Sequence, residues 1–395
     1  MTAPGIHYLD HACCSPPSQR TVAAVQQAAA QLSTPGSGGA TGLALDWLAV
    51  RDRVRRSVAR LLDSTADAIT LVDSTTHGLG IVAAGLELRP GDNVVVPDCE
   101  FLGLTTVWRR HQHRGVQLRS ARSRRGAVAL DELAAAVDHR TRVIALSAVQ
   151  EVSGAPVDLD AVSDIAARAG ALVLVDGIQE AGVLRREPDR HGIAAFAAGG
   201  HKWLRSPFGL GFLWTSDELR QRLQPAVQGY FALTDPPQGW ARLLHERDRT
   251  AGSDLPFRHD GGALETGGTP NWLGAVGLGA SIDELLATGL DHIEHRALTL
   301  ADRLREALAR LGIDVLTPPG TRSAIVTFDL DDEQRTSALH QNLHDAGVHQ
   351  SLRGIAGIGG VRASCHGHNS ADDIDALVDL TATFLRSDSG MLAHR

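Results

Sequence analysis

The chain has 395 residues, 43% apolar and 21% charged, the values of an ordinary globular protein rather than a disordered or fibrous one. Its net charge of −8 argues against nucleic acid as the main partner, and no apolar run is long enough to cross a bilayer or to act as a signal peptide. Four cysteines, Cys13, Cys14, Cys99 and Cys365, have neither disulfide-framework nor zinc spacing, so a reducing, cytoplasmic setting and no bound metal are expected.

Helical and strand patterns alternate through the first two thirds, the sign of a parallel sheet covered by helices. A strand-like stretch, Ala68 to Val72, leads into Asp73-Ser74-Thr75-Thr76-His77-Gly78, where hydroxyls and backbone N–H groups at a helix start make a natural phosphate cradle. A strand at Asn93 to Val96 follows. Arg109 to Arg125 holds seven arginines and two histidines and reads as a solvated surface around a helix end and the next strand. Helix Leu130 to Val137, strand Val143 to Ser147 and helix Leu159 to Ala169 come next. Strand Leu172 to Val175 then ends in Asp176-Gly177-Ile178-Gln179, and a carboxylate at the C-terminal end of a parallel strand points into the crevice where open α/β sheets bind ligands.

The run Ala197-Ala198-Gly199-Gly200-His201-Lys202-Trp203 contains the single lysine of the chain, against 37 arginines. A guanidinium stays protonated, whereas a desolvated amine can form a Schiff base or act as a base. Codon bias towards arginine would leave the same imbalance, so the flanking residues have to decide. Beyond strand Leu210 to Trp214, residues Gln228 to Gly262 carry Tyr230, Phe231, Trp240 and three prolines and read as a lid or binding loop. An amphipathic stretch, Leu273 to Leu311, is expected to break near Gly289, and strand candidates follow at Ala324 to Phe328 and Gly360 to Ala363. Glycines at 354, 357, 359 and 360 neither follow a strand nor open a helix as a nucleotide loop requires.

An amine, a carboxylate at a strand end and a phosphate cradle are what pyridoxal phosphate requires. With Tyr8-Leu9-Asp10-His11-Ala12, Arg89-Pro90-Gly91-Asp92, Glu265-Thr266-Gly267-Gly268-Thr269-Pro270-Asn271, Val361-Arg362-Ala363-Ser364 and His368-Asn369, the chain resembles the class V aminotransferase and cysteine desulfurase branch of the fold-type I pyridoxal phosphate enzymes over nearly its whole length. The resemblance implies an α/β large domain with a mostly parallel, seven-stranded-type sheet and a small C-terminal α+β domain. Residues 1–20 would be an arm packing on the small domain, 21–270 the cofactor-binding domain, and 271–395 the connecting helix and small domain. It implies that Lys202 forms the Schiff base and moves the Cα proton, that Asp176 keeps the pyridine nitrogen protonated, and that Gln179 lies near the ring hydroxyl. Thr75, Thr76 and His201 would hold the phosphate, Thr269 would reach the phosphate of the neighbouring subunit of a homodimer, Phe101 would stack on the ring, and Arg362 would bind the substrate α-carboxylate as a fork.

The chain also departs from that pattern. Cysteine desulfurases carry a mobile thiol in the loop before this arginine, and residues 348–361 contain none. Cys365 lies on the wrong side of Arg362 to replace it, and the cluster Cys365-His366-Gly367-His368 overlaps a strand-to-helix junction rather than a metal site. Gly199 stands where many relatives have a phosphate-binding serine, and Glu151 stands in place of an asparagine that contacts the cofactor's ring oxygen. Persulfide chemistry of the usual kind is therefore not expected. On the ground of the aromatic-bearing 228–262 segment, read as covering a bulky β-substituent, the expected reaction is β-elimination with C–S cleavage, or a related reaction, on a cysteine S-conjugate in specialised metabolism. Transamination, epimerisation of the isopenicillin N epimerase type and decarboxylating oxidative deamination share the first step and remain alternatives.

Overall fold

Stretches of branched and small apolar residues, separated by helical repeats, build one seven-stranded sheet. The computed structural model describes residues 5–34, 39–250, 255–265, 271–317 and 320–392. The strands are β1 (Ile69–Val72), β2 (Asn93–Pro97), β3 (Gln117–Ala121), β4 (Thr141–Ser147), β5 (Leu172–Asp176), β6 (Ala195–Gly199) and β7 (Gly211–Thr215). Their spatial order is β1-β7-β6-β5-β4-β2-β3, and only β7 runs antiparallel to its neighbours. Helices α1 (Gly39–Leu61), α2 (Thr75–Gly85), α3 (Leu159–Ala169), α4 (Trp272–Thr288) and α5 (Leu290–Arg310) supply most of its cover.

Side chains alternate across the sheet. Ile144, Leu146, Val173, Val175, Phe196 and Phe212 pack on one face with Val54 and Val58 of α1, Val162 of α3 and Leu278 of α4. Val143, Ala145, Leu174, Ala197 and Leu213 pack on the other with Leu79 and Val82 of α2. Burial on both faces is why the central strands read as continuous apolar runs.

Helix boundaries follow local chemistry. The Ser74 hydroxyl accepts from the His77 N–H at 3.1 Å and caps α2. Asp158 caps α3 by accepting from the Ala161 N–H at 3.0 Å, and Gly170 ends it at φ +68°. The expected break near Gly289 is a bend of 81° between α4 and α5, with Gly289 itself at φ +92°. No single helix among the described residues is long and apolar enough to cross a membrane.

A second sheet holds β8 (Ile325–Phe328), β9 (Ser351–Ile355) and β10 (Ile358–Ser364), all antiparallel, in the order β8-β10-β9. Its core joins Leu304, Leu308, Val326, Phe328, Val361 and Leu377. His7–Tyr8 pairs in parallel with Val348–His349, and the Ser364 N–H donates to the Leu9 carbonyl at 2.7 Å, so the N-terminal segment is stitched to this sheet.

The sequence pattern had not marked two of these strands. β6 is built from alanine, phenylalanine and glycine and so lacks the branched residues that signal a strand. The scattered glycines at 354, 357, 359 and 360 belong to the β9–β10 hairpin, whose two-residue turn puts Ala356 at φ +50° and Gly357 at φ +76°.

Candidate active site

Strand ends and one helix start converge on a cavity of about 420 Å³. β4 ends in Ser147, β5 ends in Asp176, β6 runs into Gly199-Gly200-His201-Lys202, and α2 begins at Thr75. Thr75, Thr76, Phe101, Glu151, Asp176, Gln179, His201, Lys202 and Arg362 all line it. Thr269, the remaining expected site residue, lies outside the described residues.

Lys202 is partly buried, and its Nζ has no hydrogen-bond or ion-pair partner among the described residues; it lies 5.9 Å from the centroid of the Phe101 ring. Burial pushes its ammonium below the ordinary lysine value, against the opposing pull of Asp176 and Glu151. Phe101 is 44% exposed, so it is a wall of the cavity rather than core. Asp176 is buried, its carboxylate accepts from the Ile178 N–H at 2.9 Å, and burial pushes its carboxyl up to about 7. A carboxyl in that position is stabilised most by a cation that a ligand brings with it.

The phosphate cradle is partly committed to the protein. The Thr75 hydroxyl accepts from the Gly199 N–H at 2.8 Å, while Thr76 is exposed at the first turn of α2. The His201 ring stacks on Phe208 with centroids 4.8 Å apart, and burial holds the imidazole below its ordinary value. Gln179 donates to the Ala12 carbonyl at 3.1 Å and accepts from the Trp203 indole at 2.9 Å, which fixes its amide against the cavity wall.

Arg362 is 1% exposed and held on two sides. It donates to the Glu151 carbonyl oxygen at 3.0 Å, with the Glu151 carboxylate at 3.6 Å and the Asp10 carboxylate at 3.5 Å. Its Nε is buried without a hydrogen-bond partner. An orphaned donor of this kind at a cavity wall is a place for an acceptor that arrives with a ligand. Glu151, expected beside the cofactor, has its carboxylate turned towards Arg362.

Taken together, a free amine, a buried carboxyl raised to about 7, an aromatic wall and a capped helix start fit pyridoxal phosphate. The orphaned Arg362 Nε fits the carboxylate of an amino acid.

Three features of the site had no signal in the sequence pattern. Cys13 and Arg353 line the cavity, and the Arg353 guanidinium donates to the Cys13 sulfur at 3.5 Å. Both adjoin recognised motifs, Cys13 directly after Tyr8-Leu9-Asp10-His11-Ala12 and Arg353 nine residues before Arg362, but nothing in those motifs indicated that they face the same space. Glu100 is fully enclosed behind the wall and accepts from the Ser147 N–H at 2.7 Å, the Ser147 hydroxyl at 2.6 Å and the Gln150 amide at 2.8 Å.

The 228–262 segment has to be corrected. None of its described residues lines this cavity. Its C-terminal end is tied to the β1 edge instead, where the Thr70 hydroxyl donates to the Gly261 carbonyl at 2.7 Å and Asp260 pairs with Arg55 at 3.2 Å and Arg258 at 2.7 Å. Within one chain it does not cover the substrate space. Of the Cys365-to-His368 cluster, Cys365 packs in the small-sheet core and His366 meets the Trp203 carbonyl at 3.0 Å.

Comparison with known proteins accords with this geometry. The family model for class-V aminotransferases matches residues 7–377. A probable cysteine desulfurase of Methanothermobacter thermautotrophicus is 28% identical over 94% of this chain and 92% of its own. A cysteine desulfurase of Salmonella agona is 28% identical over 83% and 80%. Among solved structures, a cysteine desulfurase of Escherichia coli superposes with a TM-score of 0.80 at 24% identity, over 98% of this chain and 96% of that one. A cystine C–S lyase in complex with its product cysteine persulfide superposes with a TM-score of 0.85 at 21% identity, over 96% and 98%.

Proposed function

The chain belongs to the class-V aminotransferase family, is a pyridoxal phosphate enzyme acting on an amino acid, and from that premise we propose that it breaks the Cβ–S bond of a cysteine S-conjugate by β-elimination. The observation that carries this reading is the hairpin before Arg362. β9 and β10 close through a two-residue turn, and residues 348–361 hold no thiol to take up sulfur. Similarity to cysteine desulfurases and to a cystine C–S lyase supports sulfur-bearing substrates.

When bound, pyridoxal phosphate supplies an aldehyde for attachment and a sink for the electrons released at Cα. Lys202 holds the cofactor and then takes the Cα proton, a role suited to an amine that burial keeps below its ordinary value. Asp176 would hold the proton on the ring nitrogen, Thr75, Thr76 and His201 would hold the phosphate, Gln179 would meet the ring hydroxyl, and Phe101 would pack on the ring. Arg362 would bind the α-carboxylate through the Nε that the protein leaves without a partner, while Glu151 at Nη1 and Asp10 and Ser351 at Nη2 hold the guanidinium in register.

The working unit in this reading is a homodimer, with Thr269 reaching the neighbour's phosphate. Phe101, Leu102 and Phe208 are 44%, 66% and 68% exposed, Phe101 on the cavity wall with Leu102 next to it in sequence and Phe208 stacked on the wall residue His201; a second chain would cover them. Four cysteines without disulfides support a reducing, cytoplasmic setting.

The test is to incubate the enzyme with S-aryl and S-alkyl L-cysteines and follow pyruvate, ammonia and free thiol. Equal amounts of all three are expected, with none from Lys202→Ala. Turnover that needs a keto-acid acceptor, or that yields CO₂, peroxide, alanine or the D-isomer instead, would replace elimination with another reaction.

A further inference from the structure

Cys13 is the only cysteine lining the cavity. Of the other three, Cys99 is buried with its thiol donating to the Gln150 side-chain carbonyl at 3.2 Å, Cys365 is buried in the small-sheet core, and the Cys14 sulfur faces the Tyr8 hydroxyl at 3.7 Å. The segment that carries Cys13 is anchored on both sides. The Ala12 N–H donates to the Ser364 hydroxyl at 3.0 Å, the Ala12 carbonyl accepts from Gln179 at 3.1 Å, and the Ser15 N–H donates to the His201 carbonyl at 2.8 Å. Arg353 then holds the sulfur itself at 3.5 Å. The thiol thus shares one cavity with the Lys202 amine and with the buried, partnerless Nε of Arg362, where a substrate carboxylate fits.

Elimination leaves a charge on the departing sulfur that needs a proton. The other proton-bearing groups on the wall are committed: Asp176 is assigned to the ring nitrogen and His201 to the phosphate in the reading above, Glu151 is paired with Arg362, Arg353 holds the Cys13 sulfur as a guanidinium, and Lys202 takes the Cα proton. Ser74, Thr75, Thr76 and Ser147 are alcohols, far weaker acids than a leaving thiol. A thiol donor matches a thiol leaving group in intrinsic acidity, the condition for efficient general acid catalysis.

We propose that Cys13 is the proton donor to the departing sulfur, a catalytic role that rests on the C–S cleavage reading. The Cα proton passes to Lys202 Nζ, and the electron pair of the Cβ–S bond leaves with sulfur. The pair freed at Cα closes the Cα–Cβ double bond, and the Cys13 Sγ proton moves to the departing sulfur. The ammonium of Lys202 then returns a proton to Cys13, so the site resets without an outside acid or any redox partner.

The test compares Cys13→Ser and Cys13→Ala with the parent on S-aryl and S-alkyl cysteines and, in a parallel incubation, on L-cysteine, with Cys14→Ser as control and the intact mass of each protein read after turnover. S-aryl cysteines release a thiolate stable enough to leave unprotonated, so they should lose less than about 3-fold, while S-alkyl cysteines should lose about 100-fold or more. Cys14→Ser should track the parent on both. Because the split is a ratio within one variant, partial misfolding cannot produce it. An equal loss on both classes, or no loss, removes Cys13 from proton transfer while leaving C–S cleavage standing. A gain of one sulfur on Cys13 with alanine formed from L-cysteine makes it a sulfur acceptor and overturns the acid role. If the parent releases no thiol from either class, both proposals fall together.

Discussion

The lone lysine derives its meaning from neighbours that lie far from it in sequence. Asp176, twenty-six residues earlier, and Arg362, one hundred and sixty later, share its cavity. Asp176 makes the cofactor-free protein pH-sensitive in a predictable direction. Its carboxyl rises from an ordinary 3.8 to about 7 on folding, so between those values the folded state binds the extra proton. The stability it contributes is complete below about pH 4 and is lost as pH rises through about 7. The melting temperature of the cofactor-free protein should therefore fall between about pH 5 and about pH 8, and Asp176→Asn should flatten that slope. Arg362→Ala should raise KM for α-carboxylate substrates about 10- to 100-fold while leaving the cofactor's visible absorbance in place. Arg362→Lys should not restore KM, because a point charge cannot supply a planar fork. Unchanged KM in the alanine variant would remove Arg362 from substrate binding.

At the scale of elements, the site depends on how tightly the ends of β5 and β6 pack. Gly177 follows Asp176 directly, and a Cβ there would run into the ring of Phe196, which is fully buried in β6. Gly177→Ala should cost about 1–3 kcal/mol in denaturant unfolding, with weakened cofactor retention, because Asp176 and Gln179 flank the displaced backbone. An alanine variant as stable as the parent would show that the loop has room to shift. Elements differed in how clearly the sequence announced them. The helix Leu159–Ala169 has its amphipathic period, Asp158 cap and Gly170 stop within one local stretch, and it was legible residue for residue. β6 was not, since alanines and glycines carry no strand signal and only the pairing with β5 and β7 defines it.

At the scale of the molecule, the exposed apolar residues on and beside the cavity wall set the expected assembly. Sedimentation should give a dimer, and Leu102→Glu should shift it towards monomer with a parallel loss of activity; a fully active monomer would contradict a shared site. The chain by itself announced the sheet class and, through a strand-end carboxylate, helix-start hydroxyls and a solitary amine, the kind of cofactor; its resemblance to a known family supplied the other expected wall residues, Phe101, Glu151, Gln179, His201 and Arg362. Tertiary structure alone decided that the C-terminal end of the 228–262 segment lies on the β1 edge, where Asp260 and Gly261 meet Arg55 and Thr70. It also decided that Cys13 and Arg353, 340 positions apart, meet in the substrate cavity. Contacts between residues so distant follow from how the N-terminal segment is stitched along the small sheet, and no periodicity or spacing in the chain encodes that crossing.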